Sequence, residues 1–328
     1  MDAVEQGFVS QAIHPISSLS WQRMLASDRR ISIHSGGCVP LSVAGTFIHY
    51  EHFEYTYRDQ SYSGVGKRVY VAYNSETAEL LAIIVGSLPF YRHNSMEDEF
   101  ATETAITSAV GTRSLSKQDA NVLGLYGTGH QARRHIEALC AIRPIKEVKV
   151  YSRSPDNRLK FVQVMQAYID AEIRPVETPK EAAQNVDIIV CATASNVPAL
   201  QGRWLEPGAR ITSIVGSNKE LLQEGLVSTP RRELDDQVLA KANVIVATLI
   251  QQGIQDEQGD LCVPIKNGII RWEEISDLST LLNGKSNGRT HSKEITLFKQ
   301  NSDQGVGFMT LARLAYDKAR EASIDIEI

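Results

Sequence analysis

Residues 122–139, VLGLYGTGHQARRHIEAL, contain an apolar run, a glycine turn and an amphipathic helix in succession. Val122 to Tyr126 reads as a buried strand. Ala132, Ile136, Leu139 and Cys140 then recur at i, i+4, i+7 and i+8, the spacing of one helix face. Between them Gly127, Gly129 and Ala132 match G-x-G-x-x-[G/A]. In that pattern the first glycine permits a tight turn and the second lets the backbone approach a pyrophosphate. The small third residue lets helix and strand pack closely. Amide donors and the positive end of the helix then face the phosphates. Alone the pattern is weak, since other α/β folds also carry glycine-rich turns. Set between a strand and a helix, it predicts a dinucleotide loop.

Outward from this stretch, strand and helix patterns alternate. Strands are predicted over Val122–Tyr126, Glu147–Ser152, Asp187–Thr193, Ala209–Val215 and Asn243–Ala247. Helices are predicted over Gln131–Ala141, Asp156–Ala171 and Arg232–Lys241. Several of these strands are almost continuously apolar, as a parallel sheet covered on both faces requires. The class is therefore α/β, with a Rossmann-type doubly wound parallel sheet. The first 112 residues differ. Segments such as GTFIHYEHFEYTY, KRVYVAYN and LLAIIVGS are rich in β-branched and aromatic residues and separated by turn material, which predicts an antiparallel or mixed sheet. Ser95–Leu115 reads as a helix with a small-residue face. A last helix, Phe308–Ala322, follows the polar stretch KQNSDQGVG and is expected to rejoin the first domain. The expected division is 1–112 with 302–328 as a discontinuous α+β domain, and 113–301 as the dinucleotide-binding domain.

With 34 Lys and Arg against 39 Asp and Glu in 328 residues, the formal charge is −5, which argues against a nucleic-acid partner. The longest apolar run noted, Leu80–Val85, falls far short of a membrane span. The N-terminus has no apolar signal region. Cys38, Cys140, Cys191 and Cys262 are widely spaced, which disfavours a disulfide framework and a zinc site, and no metal is expected. A cytoplasmic location is expected.

The end of the second predicted strand should meet the adenosine ribose, where an acid would accept bonds from a 2′-hydroxyl and repel a 2′-phosphate. VKVYSRSPDNR instead offers Ser152 followed by Arg153, with Arg158 further on. A hydroxyl and guanidinium groups suit a phosphate, so NADP(H) is favoured over NAD(H). Solvated surface arginines are the competing reading.

These residues resemble the ornithine cyclodeaminase/μ-crystallin family. GLYGTGHQARRHIEAL is similar to its dinucleotide loop and IRPIKEVKVYSRSP to its next strand. GSNKELLQEGLVSTPRRELDDQVLAKANVIVA is similar to the run from its fourth to its fifth sheet strand, and GRTHSKEITLFKQ to its return to the first domain. The resemblance covers about Val65 to Ile328, and the first sixty residues match poorly. It implies a two-domain homodimer whose first domain handles substrate and dimerisation. It also implies cofactor contacts from Gly127, Thr128, Gly129, His130 and Gln131 in the loop, with Ser152 and Arg153 at the ribose end. Ala192, Thr193 and Ala194 would follow the next strand, Val215, Gly216 and Ser217 would approach the nicotinamide, and Thr104 matches a position near the cofactor.

The departures bear on the substrate. Where amino-acid-acting members carry an arginine that grips the substrate carboxylate, this chain has Glu103, which would repel one. The position of the pocket lysine is closest to Phe47, with Lys67 a distant alternative. Ala247 and Thr248 stand where the cyclodeaminase's catalytic aspartate would be, and Phe308 stands where many members place another aspartate. All three substrate-handling charges are expected to be missing, so ornithine cyclisation is disfavoured. The resulting expectation is an NAD(P)H-dependent oxidoreductase acting on a C=N bond or the corresponding amine of a small molecule. Glu103, or a water it holds, is the candidate proton donor toward an iminium without a carboxylate. The alternatives are an ammonia-lyase using bound NAD and a non-catalytic NADP-dependent binder like μ-crystallin. Among other segments, Glu97–Glu99 reads as a solvated helix start, the aromatic run YEHFEYTYRDQSY as packing or dimer surface, and Asn283–Ser292 as a mobile polar loop.

Overall fold

Strand alternation and helix periodicity produce two different sheets in this chain. The computed structural model describes all residues except 15–19, 27–28, 57–58, 64–67, 87, 89–98, 226, 302–304 and 325–328, and leaves aside the side chains at 26, 51–56, 59–63, 99 and 100. Two units are resolved by their internal contacts, Met1–Glu103 with Ser302–Ile328, and Thr104–Asn301. The dividing line falls at Glu103, within a continuous helix, rather than at residue 112.

The first unit contains α1 (Asp2–Gln11), β1 (Gln22–Ala26), β2 (Arg29–Cys38), β3 (Val43–Thr56), β4 (Asp59–Ser63), β5 (Val69–Asn74), β6 (Leu80–Val85) and a C-terminal helix, Gly305–Glu321. Its strands are antiparallel in the order β1-β2-β3-β5-β6, with β4 pairing the far end of β3. The period of two sorts the side chains. Ser32, His34, Val43, Phe47, Tyr70 and Ala72 are buried on one face. Across the other face run Ile33, Ile48, Val69 and Val85 in one row and Thr46, Val71 and Ile83 in the next. Met24, Tyr73, Leu80, Ile83 and Val85 are exposed there. The C-terminal helix lies on the buried face, and glycines set its distance: a Cβ at Gly36 would meet the Gly305 backbone at 2.7 Å.

The second unit begins within α2 (Glu99–Leu115). It continues through β7 (Val122–Tyr126), α3 (His130–Cys140), β8 (Glu147–Tyr151), α4 (Pro155–Met165), β9 (Glu172–Pro175), β10 (Ile188–Cys191), β11 (Arg210–Ser213), α5 (Lys219–Gln223), α6 (Asp236–Lys241) and β12 (Val244–Ala247). Then come α7 (Ile250–Gln255), α8 (Gly259–Lys266), β13 (Ile275–Asp277), α9 (Leu278–Leu282) and β14 (Thr296–Lys299). All eight strands are parallel, in the order β13-β12-β14-β11-β10-β7-β8-β9. Successive residues of one strand enter different cores. Ile189 and Cys191 pack with Ile211, Ile245 and Leu297. Ile188 and Val190 pack with Leu123, Val148 and Ile136. Burial on both faces is why the strands read as unbroken apolar runs.

Two expectations need correction. Gly288–Gln300 is not simply a return to the first domain: Thr296–Lys299 forms β14, a fully buried strand paired with both β11 and β12. Its short, mixed sequence hid it, because burial here comes from neighbours on both sides rather than from alternation. The loop expected to be mobile is pinned by Arg289. That guanidinium donates to the carbonyls of Leu115 (3.0 Å), Glu294 (2.6 Å) and Gly208 (3.1 Å). Arg143 receives the end of α2 in the same way, donating to the Arg113 carbonyl at 2.7 Å and the Ser116 hydroxyl at 2.9 Å. The last carbonyls of α2, which have no partners within the helix, are thereby satisfied by two arginines.

Candidate functional site: a dinucleotide loop and its supports

The strand order reverses between β10 and β7, and in an open α/β sheet that is where ligands bind at the carboxyl ends. At this point β7 ends and the chain turns at Gly127, with φ of +111°. A Cβ there would run into the Ala192 carbonyl beyond the end of β10. That carbonyl cannot retreat, since the Ala192 amide donates to the Tyr126 carbonyl at 2.8 Å. Gly129 differs: it is the N-cap of α3, and a Cβ on it would meet no other residue within 4 Å. No side chain caps α3 and its first turn has no acid. An eleven-residue helix thus opens with unclaimed amides, a positive end and bare backbone, a cradle that suits a pyrophosphate.

α3 is anchored to α2 through His135. Its Nδ1 lies 2.8 Å from the Gln131 carbonyl and its Nε2 lies 3.0 Å from the Ser108 hydroxyl. A carbonyl only accepts, so Nδ1 carries the proton and Nε2 accepts from Ser108. Burial pulls the imidazole down to about 4, opposed by the Gln131 bond, so it is neutral at pH 7.

At the end of β8 the Ser152 hydroxyl donates to the Ser154 carbonyl at 3.1 Å. Arg158 is buried and engaged, donating to the Ser152 carbonyl and to Glu177, both at 2.7 Å. It braces the turn from within, whereas Arg153 is exposed. His130 and Ala194 are also exposed, Thr128 and Gln131 are half-buried, and Thr104 is buried. Ser217 is buried and donates to the Asp256 carbonyl, while Gly216 faces open space. Thr248, in the expected aspartate position, is buried and accepts from the Asn301 amide at 3.4 Å. Lys67 and Glu97–Asp98 lie outside the described residues.

The sequence reading missed a buried cluster below the loops that follow β10 and β11. Glu233 accepts from the Thr193 amide (2.6 Å) and hydroxyl (2.8 Å) through Oε1. Through Oε2 it accepts from the amides of Ile214 and Val215, both at 3.0 Å. Lys299 reaches Asp260 (2.9 Å), the Val215 carbonyl (2.7 Å) and the Ser213 hydroxyl (3.0 Å). Burial pushes the Glu233 carboxyl up and Lys299 opposes it. The only local signal was RRELDD, where Glu233 stands between two arginines and two aspartates with one leucine, and nothing in it shows that Glu233 faces two loops.

In the first unit Phe47 and Phe308 are fully buried, their ring centroids 4.2 Å apart, with Tyr70 stacked on Phe47 at 4.5 Å. Aromatic packing thus occupies the positions expected to line a pocket. Beside it, His34 Nε2 and His49 Nε2 are 2.9 Å apart, so one donates and the other accepts. Burial, then the charges of Arg30, Arg68 and Arg23, pull His49 down to about 3. Arg23 pairs with Ser32 across β1 and β2, and Ser32 pairs with His49 across β2 and β3, so these side chains share a face. Arg23, Arg30 and Arg68 thus lie near His49, a feature the sequence reading also missed. Glu103 is buried with its carboxylate against Gly307, where a Cβ would collide with it. Gly307 lies in the first turn of the C-terminal helix.

The parallel sheet, its reversal point and the bare start of α3 define a doubly wound nucleotide-binding type of protein. More narrowly, the chain belongs to the ornithine cyclodeaminase/mu-crystallin family, whose family model matches residues 95–323. It is similar to a Delta(1)-pyrroline-2-carboxylate reductase of Bacillus cereus, 31% identical over 226 residues, covering 69% of this chain and 66% of that one. A reductase of the same description from Bacillus thuringiensis is 31% identical over 255 residues, 77% of this chain and 71% of that one. The chain spans just under two thirds of the Bacillus cereus relative. In fold it is similar to a Thermococcus litoralis Delta(1)-pyrroline-2-carboxylate reductase solved with NADH and L-proline. The TM-score is 0.83 at 24% identity, covering 100% of this chain and 94% of that one.

Proposed function

We propose that the protein is an NAD(P)H-dependent oxidoreductase that reduces the C=N bond of a small imine or oxidises the corresponding amine. The observation that carries this reading is the acid-free, uncapped start of α3 behind a glycine seated on the Ala192 carbonyl. Membership of a family containing pyrroline-2-carboxylate reductases supports the reaction type. When bound, the coenzyme supplies or accepts the hydride. The chain's own residues hold and orient the reactants. Amides of Gly129, His130 and Gln131 meet the diphosphate, with Thr128 and Thr104 nearby. Ala192, Thr193, Ala194, Val215, Gly216 and Ser217 support the nicotinamide half.

NADP(H) is preferred, through Ser152 and the exposed Arg153. Arg158 acts behind them, since its donors are taken by Ser152 and Glu177. Glu103, or a water it holds, is the proton donor to the C=N, which makes the carbon the better hydride acceptor. The similarity to Delta(1)-pyrroline-2-carboxylate reductases changes the substrate expectation toward a carboxylate, which Glu103 alone disfavours. The favoured substrate is therefore a cyclic imine bearing a carboxylate. A homodimer formed through the exposed apolar face of the antiparallel sheet completes the proposal.

Steady-state oxidation of NADPH and NADH with cyclic imines, with and without a carboxylate, tests the reading. Turnover confined to carboxylate-free imines would restore the earlier expectation based on Glu103 alone. Ammonia release from a diamino acid without added NADPH would instead identify a lyase, and coenzyme binding without any turnover a binding protein.

A further inference from the structure

The buried Glu233 carboxylate joins the two loops that follow β10 and β11. We propose that Glu233 is a positioning residue that sets the spacing of the Thr193 and Val215 loops for the nicotinamide half of the coenzyme. This rests on the proposed coenzyme binding.

The strand order gives the direction of the argument. With the diphosphate at the β7 turn and the adenosine at the end of β8, the other half of a dinucleotide runs over β10 and β11. The segments that follow those strands carry Thr193 and Val215. Thr193 donates its amide and its hydroxyl to Oε1 of Glu233, and Ile214 and Val215 donate their amides to Oε2. The Ser213 hydroxyl is also 2.8 Å from Oε2. Amides only donate, so both oxygens must accept, and Glu233 works as a carboxylate.

Its own backbone is held in turn. The amides of Glu233 and Leu234 donate to Asp260 Oδ1 at 2.9 and 3.0 Å. Lys299 ties Asp260 Oδ2 to the Val215 carbonyl. Glu233 is fully buried, so water does not substitute for a missing acceptor. An amide in its place turns one acceptor into a donor facing donors and releases one of the two loops.

The test measures two ligands by calorimetry on the full chain: NADPH, and 2′-phospho-ADP-ribose, which lacks the nicotinamide. Wild-type protein should bind both. Glu233→Gln should lose about tenfold or more in NADPH affinity and keep its affinity for the nicotinamide-free fragment. Thr193→Val, which removes the hydroxyl bond to Glu233 and the one that hydroxyl accepts from the Ser195 amide at 3.2 Å, should show the same split at about threefold and carries the test should the Glu233→Gln chain not fold. Unchanged NADPH binding in these variants overturns the role, and so does equal loss of both ligands, which would mark Glu233 as merely structural. Wild-type protein that binds neither ligand sinks the proposed function itself and this role with it.

Discussion

Gly127 and Gly129 stand two residues apart in one motif, yet they should fail in different ways when each is replaced by alanine. At Gly127 the backbone φ is +111° and the added Cβ points into the Ala192 carbonyl. Strain from such a backbone conformation costs about 1–3 kcal/mol for a side-chain-bearing residue, and displacing a fixed carbonyl adds about 1–3 kcal/mol of overpacking. Gly127→Ala should therefore destabilise the second unit by about 2–6 kcal/mol, a fall in Tm of roughly 4–24 °C for a domain of this size. At Gly129 φ is −84° and the space is empty of protein, so Gly129→Ala should cost less than about 1 kcal/mol, the difference between glycine and alanine at an N-cap. If a diphosphate lies there, that methyl occupies its place, and NADPH affinity should fall about tenfold or more, equivalent to roughly 1.4 kcal/mol or above. Differential scanning fluorimetry and calorimetric titration on both variants separate the effects. A Gly129→Ala protein that binds NADPH as wild type does would refute the diphosphate cradle. A Gly127→Ala protein with unchanged Tm would refute the close packing on Ala192.

Further outcomes follow from the same physics. Arg153→Ala should weaken NADPH about tenfold while leaving NADH nearly unchanged, and equal loss of both would dismiss the 2′-phosphate assignment. His135 titrates near 4 in the folded chain against 6.5 unfolded. The unfolded state therefore binds the extra proton first as pH falls, and stability is lost from about pH 6.5 downward toward pH 4, by up to ~1.4 kcal/mol per pH unit. Urea denaturation of His135→Gln between about pH 6 and pH 5 should show a shallower pH slope than wild type; an identical slope would contradict the neutral buried imidazole. Ile83→Glu places a charge on the exposed apolar sheet face and should convert a dimer to a monomer in light scattering. A wild-type chain that is already monomeric would remove the proposed interface.

The local pattern of residues 122–139 was enough to place β7, the glycine turn and α3, because strand, turn and helix there each have a short-range physical signature. The parallel class of the second sheet was legible for the same reason, since strands covered on both faces must be apolar throughout. β14 escaped notice. TLFK is four residues long and includes a threonine and a lysine, and its burial depends on β11 and β12, which lie far away in sequence.

Charges were the hardest to read. By itself the sequence determined where β7, a glycine turn and α3 follow one another, because each depends on residue identity over a short span. Only the tertiary structure decided that Arg158 is engaged by Ser152 and Glu177, that Phe47 and Phe308 fill space as a packed pair, and that Arg23, Arg30 and Arg68 surround His49. It alone showed Glu233 joining two loops. The reason is that a buried polar group takes its role from whichever partners the fold brings within about 3 Å, and those partners are set by strand register and crossover, not by neighbours along the chain.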